Sequence, residues 1–376
     1  MVAHRGLSTR IVVQIDTQQL PSAGKASVCP QTAKAALALY PREVPTFGWE
    51  TEGHHIFADA LTRFAEQNGN PRLTPIIRRV SAPLRVAVCG RDGVGRGTVT
   101  TALASAGVAV TPDESAADLH LVVIAEALKP EDRAMLTVDR PTVAVLNKAD
   151  LTGFGAAGPL TAAHRRAAEY RALTGVPTVP MVALLATVDL DGELIAALHA
   201  LVRQPADLTS TDGFVQSPHP LSHEVRRRLL DTLDRFGIAH AVVAIADGYD
   251  AAAVEKQLRR LSQTDRVVAR IDAAGAQIRY RRVRRAVTEL HTLAVQSGDS
   301  RLTEFLATDA TVLAVMTAAV DVVEAAGASV DTGDDAASHL RRAVHWRRYS
   351  RGPVNALHRS CGADISRGSL RLLRRV

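Results

Sequence analysis

Apolar positions follow two rhythms along the chain. Over 84–205, continuous apolar runs alternate with stretches in which apolar residues fall three and four apart. LRVAVCG (84–90), LHLVVIA (119–125), TVAVLN (142–147) and VPMVALL (179–185) read as strands covered on both faces, with a shorter VAV strand at 108–110. Between them the helical rhythm predicts helices over 98–106, 130–138, 160–174 and 191–202. Buried strands separated by helices build a parallel sheet from βαβ units.

Outside that region the helical rhythm dominates. It predicts helices over 51–67 and 73–80, and then over 225–236, 250–262, 279–295 and 302–325. The run AVVAIA (241–246) fits either a strand or a helix. Proline and glycine break every periodic run in 1–47, so that segment reads as poorly ordered. QPADLTSTDGFVQSPHPLSH (204–223) reads as a linker. The expected order is a loose segment (1–47), a helical lead-in (48–83), an α/β domain (84–205), a linker (206–223), a helical domain (224–330) and an Arg-rich tail (331–376).

Composition sharpens this picture. A chain of 376 residues with 47% hydrophobic and 22% charged residues can bury a core. Its net charge of +6 is uneven: 341–376 holds ten Arg and one Asp, a net of +9, and the other 340 residues sum to −3. A basic end suits anionic lipid heads or phosphate backbones, or is a solvated tail with no dedicated partner, and an aromatic content of only 4% argues against an extensive base-stacking surface. Asp364 or Ser366 would cap a last short helix there. Cys29, Cys89 and Cys361 have no pairable spacing, which fits a reducing compartment. The start lacks a signal-peptide pattern and 312–323 is too short and acidic to span a bilayer. These features place the chain in the cytoplasm, with the inner membrane face within reach of 341–376.

The chemistry concentrates in VAVCGRDGVGRGTVTTALA (86–104), where a buried strand ends in a Gly-rich turn that opens a helix. Such a turn lets backbone N–H groups converge on phosphate oxygens. Against G-x-x-x-x-G-K-[ST], Gly90 and Gly95 fit, with Gly93 between them, while Arg96 replaces Lys and Gly97 replaces the hydroxyl residue. Arg96 keeps a charge; Gly97 has no hydroxyl for Mg²⁺, and Thr98 lies about 100° further round the helix. The dinucleotide pattern G-x-G-x-x-G fails, because Thr98 stands at its third glycine. After the strand TVAVL comes Asn147-Lys148-Ala149-Asp150, in which a carboxylate can accept from a guanine edge and a lysine stem can cover the ring.

Over about 84–205 these motifs resemble the P-loop GTPases. The resemblance implies a parallel sheet with flanking helices, a guanine nucleotide (GTP or GDP) as ligand, phosphate contacts from Gly90 to Thr98 and base reading by Asn147, Lys148 and Asp150. The chain departs from the family pattern at several points. No DxxG lies between Thr98 and Asn147, the one at 150–153 comes too late, and 49 positions leave no room for both switches. Val182-Ala183 stands where a Ser-Ala base contact is expected. RLLDTLDRFGIAHAVVAIADG, LRRLSQTD and QIRYRRVRRAVTELHTLA are similar to the helical region of actinobacterial dynamin-like GTPases. The resulting expectation is a GTPase-like regulatory or scaffold protein that has lost hydrolysis, with no Mg²⁺ support, acting through a protein partner or a second copy of itself. Two alternatives remain at this stage: an atypical GTPase that completes its site in a dimer, and a DNA-associated regulator using the tail.

Two further clusters stand out. His54-His55 reads as a surface or capping pair rather than as ligands. Arg279, Arg281, Arg282, Arg284 and Arg285 form a dense basic face, either paired within the chain or open to an anionic partner.

Overall fold

The computed structural model describes residues 53–136, 140–153 and 158–375. The expected loose segment 1–47, Cys29, the start of the lead-in and the last residues of the 130–138 helix lie outside the described residues.

Four parallel strands form one sheet in the order β1 (Val86–Gly90), β2 (Leu119–Ala125), β3 (Thr142–Asn147), β4 (Thr178–Pro180). Val88 pairs with Leu121, Val123 with Val145, and Val145 with Val179. Every residue of β2 is buried, His120 included, as a strand covered on both faces requires. One face of the sheet (Leu121, Val123, Val143, Val145) packs on α3 (Arg96–Ser105) and on Val267 and Ile271 of a long later helix. The other face (Val122, Ile124, Ala144, Leu146) packs on Ala163 and Tyr170 of α5 (Pro159–Thr174) and on Leu194 and Leu198 of α6 (Gly192–Arg203). The short α4 (Pro130–Leu136) follows β2. The two sequence motifs lie at the C-terminal ends of β1 and β3, on the same edge of the parallel sheet with β2 between them.

Two expected strands differ. The 108–110 run makes one bridge, Val86 to Val110, because Pro112 cannot continue the ladder. The 179–185 run is regular strand only to Pro180; Met181 still donates to the Leu146 carbonyl at 2.8 Å, and the chain then turns into a 3₁₀ segment, Ala183–Thr187.

The expected linker is packed structure. It contains α7 (Thr211–Gln216), whose Phe214 is fully buried, and the buried Arg226 donates to the carbonyls of Phe214 and Ser217 at 2.7 Å each. Arg226 lies in α8 (His223–Ala246), which also absorbs the ambiguous 241–246 run as helix. After α9 (Ala251–Leu261), the 34-residue α10 (Thr264–Ser297) contacts the sheet at its start and a second core further along. In that second core, Tyr280, Val283 and Leu290 meet α1 (Gly53–Asn68), α2 (Thr74–Val80), α11 (Ser300–Ala307) and α12 (Asp309–Ala325). The helix expected over 302–325 is therefore two, broken at extended Thr308, whose side chain caps α12.

Within the expected tail (331–376), the described residues form an antiparallel pair, α13 (Ala336–Arg351) and α14 (Ala356–Leu373). Trp346, Cys361 and Ile365 are buried in the second core. The helices approach closely where side chains vanish: a Cβ on Gly368 would stand 2.2 Å from Met316 Sδ. Asn355 caps α14, and neither Asp364 nor Ser366 does. Asp364 is buried mid-helix, accepting from the Tyr280 hydroxyl at 2.7 Å and facing Arg284 at 3.2 Å. Those partners offset the cost of burying its charge. No single helix among the described residues is long and apolar enough to cross a membrane.

Candidate functional site

Gly90 ends β1 with φ +149°, and a Cβ there would meet the Val123 carbonyl at 2.7 Å. The loop then runs to Gly95, with Gly93 and Gly95 both at positive φ, and α3 opens at Arg96. Buried Val94 anchors the loop on the sheet. The backbone N–H groups of Asp92 to Thr98 find no acceptor among the described residues. That row of open donors at a helix start is suited to an anion.

The two motifs, 53 residues apart, are stitched together. Asn147, buried at the end of β3, donates through Nδ2 to the Val94 carbonyl at 3.0 Å and accepts at Oδ1 from the Ala183 N–H at 3.1 Å. Lys148 turns through a left-handed conformation (φ +55°) and donates through Nζ to the Gly93 carbonyl at 3.0 Å. Gly95 is required at this junction, since a Cβ would fall 2.4 Å from Asn147 Nδ2. Together these contacts fix the loop against the tetrapeptide and the turn after β4.

A cavity of about 240 Å³ opens beside the stitch, lined by Gly95, Thr98, Asn147, Lys148, Asp150 and Asp234 among others. Of the nine expected site residues, Gly95, Thr98, Asn147, Lys148 and Asp150 meet there. Gly90, Gly93, Arg96 and Gly97 belong to the loop outside it. Val182 and Ala183 also line the cavity.

Asp234 was not foreseen. It sits inside α8 yet has φ +51° and ψ 176°, a break in the helix that brings it to the cavity opposite Asp150. Its sequence context, a polar residue at ordinary helical spacing, carries no signal of this. Burial pushes the Asp150 carboxyl above the ordinary carboxylate range, and the Asp234 charge adds to the shift against Lys148 and Arg235. Two carboxylates on one small cavity favour a ligand edge rich in N–H donors.

The loop's cations are already engaged. Arg96 pairs with exposed Asp92 at 2.7 Å, and Arg91 pairs at 2.8 Å with fully buried Asp132. Asp132 also accepts the Lys129 N–H, closing the start of α4. An incoming phosphate would meet backbone donors and a helix end, with side-chain cations already neutralised.

Other candidate groups serve structure. The rings of His54 and His55 lie 4.0 Å apart at a 39° tilt, beside a separate cavity with Arg279; His54 is buried, so the expected surface pair is half right. Burial, with His55, Arg279 and Arg282 nearby, holds His54 down to about 3, so it is neutral at physiological pH. Burial and a contact with Glu114 push the Cys89 thiol up to about 12. Among the described residues no group of three or more His, Cys, Asp or Glu side chains is arranged to hold a metal ion. No family model matches the chain, and no curated protein matches it.

Proposed function

We propose that the chain is a GTPase-like guanine-nucleotide-binding protein that does not turn GTP over and acts as a regulatory or scaffold protein. The observation that carries this reading is the double bridge from Asn147 and Lys148 to the Val94 and Gly93 carbonyls. It joins a base-reading tetrapeptide to a phosphate-type loop, and the cavity it creates is base-sized, below the roughly 300 Å³ at which pockets for larger ligands begin. The base would place its N–H edge on Asp150, Lys148 would cover the ring, and the phosphates would lie over the open N–H groups of Asp92 to Thr98.

Hydrolysis calls for a metal, a sensor of the terminal phosphate and a positioned water. Gly97 supplies no hydroxyl, and the carboxylates of Asp92 in the loop and Asp132 in α4 are committed to Arg96 and Arg91. With those arginines neutralised, affinity for the phosphates is weak. The helical body would then carry the contact with a protein partner or a second copy. Any lipid contact of 341–376 would come from the exposed arginines of α13 and α14.

Titration calorimetry of the purified chain with GDP, GTP and ADP, each with Mg²⁺ and with chelator, tests the proposal. It expects guanine-selective binding that changes little with Mg²⁺, and no GTP turnover. Steady turnover abolished by Arg96→Ala, or turnover rising with protein concentration as in a shared dimeric site, would overturn it.

A further inference from the structure

The basic face of α10 divides into two sets in the structure. Arg279 lies 3.6 Å from Asp272, Arg282 pairs with Asp118 at 2.9 Å and Arg284 with Asp364 at 3.2 Å, so these three brace the body. Arg281 and Arg285 are exposed and face a groove of about 580 Å³, Arg285 also pairing at 2.8 Å with Glu289 on the same helix. Arg79 of α2 and Arg85, just before β1, reach the same groove.

Charge in the groove is not balanced. Five arginines (Arg79, Arg85, Arg281, Arg282 and Arg285) face two carboxylates, Asp118 and Glu289, leaving an excess of three positive charges. Arg281 has no ion pair among the described residues, and Arg85 reaches Asp118 only at 3.5 Å. The walls are held in place: Arg282 donates to the Ala82 carbonyl at 2.6 Å, and Asp118 accepts the Arg85 N–H at 2.9 Å. Forked guanidinium groups on a braced concave frame match phosphate oxygens pairwise. The groove lies at the N-terminal end of the strands. It is separated from the phosphate loop by the length of β1, roughly 16 Å at the usual rise per residue.

We propose that this groove is a second, nucleotide-independent anion site that takes a compact group bearing several closely spaced phosphates. Its concave shape and three excess charges suit such a group better than an extended duplex, which needs a longer basic track. A phosphorylated lipid headgroup and a free polyphosphate share this chemistry.

Inorganic tripolyphosphate is the probe, titrated into the full chain at low and high salt. The wild type should bind with an affinity that falls as salt rises. Arg281→Ala/Arg285→Ala should weaken binding tenfold or more, with its thermal midpoint unchanged, because neither side chain is buried. Asp150→Asn and the charge-matched control Arg347→Ala/Arg348→Ala should retain it. Flotation with vesicles carrying a bis-phosphorylated phosphoinositide then identifies the source. Co-flotation lost in the double variant assigns a lipid headgroup, and tripolyphosphate binding without flotation assigns a soluble ligand. Equal binding by the double variant and wild type, equal losses in the double variant and the charge-matched control, or capture of duplex DNA without tripolyphosphate binding would overturn the proposal.

Discussion

Replacing Asn147 with alanine tests the stitch that creates the site. The change removes both hydrogen bonds of the side chain and leaves the Val94 carbonyl and the Ala183 N–H without partners, at a position 4% exposed. An orphaned buried polar group costs about 1–3 kcal/mol. The Val94 carbonyl adjoins the open loop and can recruit water, so its share lies at the low end. The sum is about 2–4 kcal/mol, a fall of roughly 5–10 °C in melting temperature for domains of this size. Asn147→Asp should be at least as damaging, because it keeps the bond to Ala183 but sets an oxygen against the Val94 carbonyl. Urea unfolding followed by far-UV circular dichroism measures both. A loss below about 0.5 kcal/mol for Asn147→Ala, the range of an ordinary surface change, would refute the reasoning.

If the proposed guanine site is right, its acid dependence should follow from Asp150. Its raised pKa means that the carboxylate needed to accept from a base is lost at a pH above that of an ordinary aspartate, about 3.9. GDP affinity measured from pH 7.5 downward should therefore fall earlier than for an ordinary aspartate, and Asp234→Asn, by removing a like charge, should move that fall to lower pH. The folded state takes up the proton more readily than the unfolded one, so the stability contributed by Asp150 decreases as pH rises through its folded pKa. Asp150→Asn should stabilise the ligand-free protein at neutral pH and lose that advantage in acid. Cys89 and Cys361 are buried, and burial pushes both thiols up to about 12, so peptide-resolved alkylation at pH 8 should leave both unmodified until the protein unfolds. Gly368→Leu should cost about 1–3 kcal/mol or more by forcing α14 away from Met316, measured as a lowered urea midpoint; no change would mean that the last helix is not docked.

The sheet was legible because its strands are buried on both faces, and apolar runs such as 121–125 bounded by turn residues have few other readings. The phosphate-type loop and the tetrapeptide were legible for a different reason: each is a short backbone device written in consecutive residues. What sequence reasoning missed depends on distant packing. Ten arginines against one acid give 341–376 the look of a solvated basic tail. Yet Trp346, Cys361 and Ile365 are enough to dock α13 and α14, since glycines at 362 and 368 allow close approach. Phe214 likewise turns a Pro- and Ser-rich stretch into packed structure. Asp234 reaches the cavity through a single backbone break inside a helix, which no periodicity reveals. The basic face of α10 was visible as a cluster, but only the positions of Asp118, Asp272 and Asp364 separate its bracing arginines from exposed Arg281 and Arg285.

The central claim is that Asp150 reads a guanine edge. Xanthine carries a carbonyl where guanine carries its 2-amino group, so an amide at position 150 should suit xanthine and a carboxylate should suit guanine. Calorimetric titration of wild type and Asp150→Asn with GDP and with xanthosine diphosphate measures this directly. The account predicts that wild type prefers GDP and that Asp150→Asn reverses the preference. Equal affinities for the two ligands in both proteins, or GDP binding untouched by the substitution, would contradict it.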